Sequence, residues 1–314
     1  MTKIIDFTNC KLSSRNLEYA GRAGEKRGIV YNGEFWFLKF PKNTIGMNKI
    51  NELSYVTSPL SEYIGSHIYE ILGYDVHSTI LGICNDGKRN KVVCACKDFI
   101  IDDKNELLIP YTALRNDTND ALMELRDGSL TTASNLNEII FQLNNNTILK
   151  DIPNVKERFW DTVVIDLLIN NNDRNEDNWG VIKFKKENKY IMSPIFDNGN
   201  SFYSKTDEIR IKDLLKDENK LISSSSTIVT AYEDDQEKRL NIKDILNIDN
   251  ADLKKSLAKV YNIVINKIDE IKSFINDIPE KNDGIDIMSS NRKLYYIRTM
   301  EIRLEMIKKA ITHI

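Results

Sequence analysis

The spacing of apolar positions changes near residue 101, strand-like before it and helix-like after it. In GIVYNGEFWFLKF, residues 28–40, apolar side chains fall on both sides of Asn32-Gly33. That break predicts a hairpin with a tight turn. PLSEYIGSHIYEILG follows, with Leu60, Ile64, Ile68 and Ile71 at helical spacing. Ser58 is placed to cap this helix, Pro59 suits its first turn and Gly73 ends it. DVHSTILGIC and KVVCACKDFI, separated by NDGKRN, predict a second strand pair.

Beyond residue 101 the pattern predicts helices in IPNVKERFWDTVVIDLLI, with Pro153 near its start, and over 250–275. A last helix carries Ile297, Met300, Leu304, Ile307 and Ile311 as a buried stripe. Between them VIKF and YIMSPIFD form one short two-strand unit, and LISSSSTIV, 221–229, reads as a loop. The fold class predicted is α+β: a β-rich N-terminal lobe with one helix over 1–100, a mainly α-helical lobe over 101–314, and a ligand cleft between them.

Composition narrows the function classes. The chain has 314 residues, 41% hydrophobic and 29% charged, an ordinary globular mix. Its formal charge of −3 gives no basic excess, so no nucleic-acid partner is expected. No apolar run reaches membrane-spanning length and the N-terminus lacks a signal-peptide core, so no membrane partner is expected either. Cys10, Cys84, Cys94 and Cys96 form no C-x-x-C pair. Cys94 and Cys96 fall on one face of a strand and read as reduced core residues, which suits a cytoplasmic location. His67, His77 and His313 are scattered, and a zinc site is not expected.

The chemistry concentrates in INNNDRNEDNWG, residues 169–180. Asp173, Asn175 and Asp177 match the first three ligands of an EF-hand calcium loop. The match then fails, with Asn178 where glycine is needed and Phe184 where a bidentate glutamate is needed. Phosphoryl transfer fits better. It needs a carboxylate to accept the proton of the attacking hydroxyl and oxygen ligands for magnesium. Asp173 and Asn178, with four residues between them, have the kinase catalytic-loop spacing, and Asp197-Asn198-Gly199 supplies a second carboxylate after the next hairpin. A solvated turn would use the same residue types, so the N-terminal region matters. YAGRAGEKRGIV holds Gly21, Gly24 and Gly28, whose amides suit phosphates. Lys39 interrupts the apolar WFLKFP, and Glu62 lies on the following helix as its partner. CKDF, 96–99, falls where the chain crosses between lobes, so its backbone is placed to bond adenine.

FLKFP, SEYIGSHIYEILG, VVCACKDF, LLINNNDRNEDNWGVI and SPIFDNGNSF, in that order, resemble the HipA-like serine/threonine kinases, and among them the short CtkA-type branch. The resemblance runs through nearly the whole chain. It implies a bilobal protein-kinase-like fold, ATP with magnesium (Mg2+), and transfer to Ser or Thr hydroxyls of a protein substrate. By matching position it implies Asp173 as catalytic base and Asn178 and Asp197 as metal ligands. Lys39 would bind phosphate with Glu62 beside it. Gly21, Arg22, Ala23, Gly24 and Lys26 would form the phosphate loop, and Lys97, Asp98 and Phe99 the adenine-binding crossing. Two departures stand out. Asn175 occupies the position where the family usually has His, and the chain starts almost at the phosphate loop, without the additional N-terminal subdomain with which HipA toxins bind an antitoxin. Export into another cell is implied by the resemblance alone. Lipid and aminoglycoside kinases share the Asp-x4-Asn spacing and remain the alternative class, with a nucleotide-binding pseudokinase as a third. Ser223–Ser226, the densest hydroxyl cluster, is the candidate autophosphorylation site.

Overall fold

A computed structural model describes residues 2–15, 26–41, 57–116 and 133–312. Gly21, Arg22, Ala23 and Gly24 of the expected phosphate loop lie outside the described residues, as does His313. Strands β1 (Ile5–Asp6), β2 (Lys11–Leu12), β3 (Lys26–Tyr31), β4 (Glu34–Lys39), β5 (Thr79–Asn85) and β6 (Asn90–Lys97) form one sheet in the order β1-β5-β6-β4-β3-β2. Only the β1–β5 pair is parallel. The β3–β4 turn has φ of 51° at Asn32 and 81° at Gly33, the paired left-handed conformation that matches strand twist and that Asn-Gly adopts most readily.

Side-chain alternation divides the sheet into two faces. Ile29, Trp36, Leu38, Val93 and Ala95 join Phe7 and Phe40 in a small core on one side. Leu81, Cys94 and Cys96 face the other way, against Leu60, Ile64 and Ile68 of helix α1 (Ser58–Ile71). The two cysteines therefore share a buried face as their spacing predicts, and all four cysteines are free. The start of α1 differs by one residue from the expected cap. Thr57 holds the N-cap position, and its hydroxyl donates across to the Ser204 carbonyl at 2.6 Å instead of capping the helix.

The second half contains helices α2 (Tyr111–Asn116), α3 (Leu136–Asn145), α4 (Val155–Ile169), α5 (Glu208–Lys216), α6 (Glu218–Ser225), α7 (Ile242–Leu246), α8 (Ala251–Asp277) and α9 (Ser290–Thr312). Every residue of α4 from Phe159 to Ile169 is buried, the pattern of a helix enclosed on all sides, and α8 and α9 pack around it. On α9, Met300, Leu304 and Ile307 are buried, with Ile297 and Ile311 packed at the margin. Among the described residues no helix is long and apolar enough to cross a membrane.

Two expectations need correction. The two-strand unit is three-stranded, because β7 (Glu106–Pro110) pairs with β9 (Gly180–Phe184), which pairs with β10 (Lys189–Met192). A further sheet joins β8 (Ser134–Asn135), β11 (Val229–Glu233) and β12 (Arg239–Asn241). The serine run is not a loop. Ser223, Ser224 and Ser225 lie in α6, which Asp217 caps by accepting from the Asn219 and Lys220 amides while Leu221 anchors it in the core. A cap and a buried anchor outweigh the weak helix preference of serine.

Gly65 marks where α1 meets the segment after β10. A methyl group there would lie 2.8 Å from Ser201 Oγ and 2.9 Å from Asn198 Cβ. Gly65→Ala is expected to lower stability by about 1–3 kcal/mol, the usual cost of overpacking. Thermal unfolding measures it; an unchanged melting temperature would show that this contact gives way freely.

Candidate active site

Strand register explains where Lys39 points. Lys39 pairs with Cys94 across β4–β6, so its side chain leaves the sheet on the α1 side, while Leu38 beside it enters the opposite core. On α1 the apolar residues Leu60, Ile64 and Ile68 face the sheet. Glu62, Ser66 and Tyr69, spaced four and three apart, form a second stripe that is polar and fully buried. Lys39 Nζ meets this stripe at Glu62 Oε2, 2.7 Å away, and also reaches Asp197 Oδ1 at 2.7 Å. The two residues chosen from sequence as partners are thus in contact, and a third, distant in the chain, joins them.

Burial alone would pull the Lys39 ammonium down, but Asp197 and Glu62 reverse this and hold it well above its usual range. Burial would likewise raise Glu62, but the Lys39 charge and a hydrogen bond from His77 hold its carboxyl well below the usual range. His77 Nε2 lies 2.9 Å from Glu62 Oε1 and 3.2 Å from Ser66 Oγ. Ser66 Oγ in turn accepts from Asn198 Nδ2 at 3.0 Å. His77 also ties its own strand entry to the approach to Asp197, its amide donating to the Ile195 carbonyl at 2.9 Å.

Asp197 occupies the left-handed region, φ 58°. Such a conformation at a residue other than glycine costs on the order of 1–3 kcal/mol. The conformation is supported because the next residue, Asn198, is fully buried and bonded on both amide atoms. Helix α4 delivers the other loop. It stops at Asn170, also left-handed at φ 53°, and the chain turns through 171–178. Asn178 Nδ2 donates to the Asp173 carbonyl at 2.6 Å. Asn175 Nδ2 donates to Asp173 Oδ1 at 3.0 Å and so orients the carboxylate. Burial raises the Asp173 carboxyl, the Asn175 bond lowers it, and the nearby Asp197 raises it again; the net direction is upward.

Asp197 and Asn178 offer a carboxylate oxygen and an amide oxygen, the hard donors that Mg2+ takes, and Lys39 offers a point charge suited to phosphate. These donors fit the expected metal and nucleotide. Among the described residues Glu62, His77 and Cys96 also place ligand atoms within 4.8 Å of one another. The scattered histidines gave no sign of that cluster. The Lys39 ammonium stands against Glu62 there, and its charge opposes a cation.

The remaining expected residues are less central. Lys26 pairs with Lys39 in the sheet, and its ammonium sits 5.7 Å over the Phe37 ring. Lys97 is bound to Glu34 at 2.5 Å. Asp98 accepts from Arg15 at 2.9 Å, and the same guanidinium binds the Ile100 and Ile101 carbonyls, which anchors the crossing segment. Phe99 packs its ring 5.6 Å from that of Phe196, directly before Asp197. Sequence reasoning missed Ser66, His77, Asp166, Arg174 and Asn198. Of these only Asp166 had a legible signal, an acid inside an unbroken apolar helix.

No family model matches the chain. It is 32% identical over 271 residues to Serine/threonine-protein kinase CtkA of Helicobacter pylori, which covers 85% of this chain and 78% of that protein. The crystal structure of an H. pylori proinflammatory kinase CtkA matches with a TM-score of 0.82 and 27% identity, covering 99% of this chain and 98% of that one. A Shewanella oneidensis toxin–antitoxin complex of HipA, HipB and operator DNA matches with a TM-score of 0.53 at 14% identity, over 99% of this chain and 75% of that one; this is a likeness of fold.

The depressed Glu62 carboxyl links stability to pH. A group whose folded pKa lies below its unfolded value stabilises the fold above that unfolded value, about 4.3 for glutamate, and the contribution fades as pH falls below it. Glu62→Gln is expected to melt lower than wild type at neutral pH, with the gap narrowing as pH drops below that range. Melting curves across pH check this; a gap independent of pH would mean that Glu62 is not held ionised.

Proposed function

We infer the reaction of this chain from one premise: it belongs to the CtkA family of serine/threonine-protein kinases. The donor in our reading is ATP with Mg2+, and the acceptor is a Ser or Thr hydroxyl of a protein. The nucleotide lies between the sheet of the first hundred residues and the helices that follow. The observation that carries this reading is the meeting of three chain segments at Lys39, Glu62 and Asp197.

The roles follow from the chemistry of each group. Lys39 neutralises Asp197 before nucleotide arrives and turns its charge to the phosphates afterwards, with Glu62 holding the ammonium in place through the exchange. Asn178 Oδ1 and the Asp197 carboxylate would hold the metal, which when bound would supply charge neutralisation on the transferring phosphoryl group. Asp173, oriented by Asn175, takes the proton of the attacking hydroxyl, and its raised pKa makes it the better base. For autophosphorylation at Ser223–Ser226 the acceptor would be Ser223, which is exposed, or Ser226 at the end of the helix, since Ser225 is buried with its hydroxyl donated to the Leu221 carbonyl at 2.7 Å. Assaying a basic protein, a phosphoinositide vesicle and an aminoglycoside side by side separates the protein-kinase reading from the lipid and small-molecule alternatives.

Asp173→Asn is expected to lower turnover about 10²–10⁴-fold, the usual loss for a general base. Calorimetry should find its Mg-ATP affinity nearly unchanged. Turnover within about tenfold of wild type would remove Asp173 from the chemistry.

Asn175→Ala deletes the bond that favours ionised Asp173. Its carboxyl should rise further, and since the base works only when ionised, the acid limb of the kcat/KM profile should move to higher pH. An unmoved limb would count against Asn175 acting on Asp173.

A further inference from the structure

Arg174 follows the candidate base directly, is almost fully buried, and spends its whole guanidinium on four sites. Nε donates to Asp166 Oδ2 at 2.9 Å, and one terminal nitrogen donates to Asp166 Oδ1 at 3.2 Å and Asn198 Oδ1 at 2.6 Å. The other terminal nitrogen donates to the Asn178 carbonyl at 3.2 Å and to the Phe196 carbonyl. A guanidinium has five N–H groups, and five acceptor contacts are made. The acceptors are not random. Asn178 is one candidate metal ligand, and Phe196 and Asn198 flank the other, Asp197. The fourth site, Asp166, is fixed on the central helix α4, where Tyr69 of α1 also donates to it at 2.7 Å.

We propose that Arg174 is a positioning residue that sets the separation of the two metal-ligand turns, Asn178 and Asp197, by clamping the backbone or neighbour of each to Asp166. The proposal rests on the assignment of those two residues as metal ligands. A planar fork fixes four sites at set angles, whereas a lysine ammonium has three donors on a flexible stem and cannot span them. Groups that orient metal ligands without touching the metal govern metal affinity, and losing one typically costs about 10–100-fold. With Arg174 shortened, the peptide carbonyls on the two turns lose their common donor and the ligand oxygens lose their fixed spacing.

The test titrates Mg2+ into protein held with a non-hydrolysable ATP analogue, followed by calorimetry, with melting curves recorded in the absence of both. In Arg174→Lys the Mg2+ concentration for half-maximal nucleotide binding is expected to rise about 10–100-fold, and high Mg2+ should restore binding. A folded variant whose Mg2+ requirement equals that of wild type overturns the proposal, because a residue that only supports the fold would lower the melting temperature and leave the metal requirement alone. If Arg174→Lys does not fold, Asn198→Ala serves, since it cuts one tether to the metal turn and leaves the Arg174–Asp166 pair. An unshifted Mg2+ requirement there overturns the proposal equally. Wild-type protein that binds the analogue without any Mg2+ dependence removes the metal assignment itself, a result distinct from one in which wild type responds and the variants match it.

Discussion

A buried ammonium has to be neutralised where it lies, and this requirement at Lys39 organises the protein around it. Taking Lys39 from Glu62, whose carboxylate is fully buried, would leave that charge with little water to solvate it, a loss that for fully buried pairs typically costs about 3–5 kcal/mol. The sheet therefore has to present Lys39 on the α1 side, α1 has to turn Glu62 inward, and the turn after β10 has to bring Asp197 within reach. Each placement is fixed again by its own neighbours. His77 holds Glu62, Asn198 holds Ser66, and Arg174 holds Asn198, so the polar chain runs unbroken from the sheet to Asp166 on the central helix. Buried polar groups are tolerable only when partnered, and a chain of them specifies one arrangement of the segments it joins.

Local patterns made a large part of this legible. The Asn-Gly hairpin, the α1 stripe and the last helix follow from periodicity because each buries one face against something large. The Asp173–Asn178 spacing and the Asp197 turn were readable because an acidic cluster after an apolar helix is unusual. What escaped was decided by contacts far apart in sequence. The β8–β11–β12 sheet includes strands of two and three residues, too short for any period to register. Helix α6 exists because Asp217 and Leu221 hold a serine run that would otherwise favour turns. Arg174 and Asn198 looked like ordinary turn residues, and their roles depend on partners up to 24 and 132 positions away.

The backbone around Asp197 shows where the fold stores strain. Phe202 and Tyr203 share its left-handed sign, at φ 54° and 55°, although neither is a residue that favours it. Phe202 is held by its ring stacking 4.8 Å from Tyr296, and Tyr203 by the Arg303 guanidinium donating to its hydroxyl at 3.0 Å. Unfavourable backbone persists where surrounding packing over-determines it. Here that packing comes from α9, the C-terminal helix, which therefore supports the candidate active site without contributing a group to it.

Helix α1 belongs to the sheet by sequence but is gripped from the other side. Gly65 abuts Asn198 and Ser201, Tyr69 donates to Asp166, and Tyr63 and His67 pack their rings against Phe274 of α8. Swinging it outward would part Tyr69 from Asp166 and Glu62 from Lys39, open a void beside Asn198 and separate the rings of Tyr63 and His67 from Phe274. The Lys39–Glu62 pair is therefore coupled to contacts on the far side of the helix, so that any movement of α1 away from the sheet would have to break both sets together.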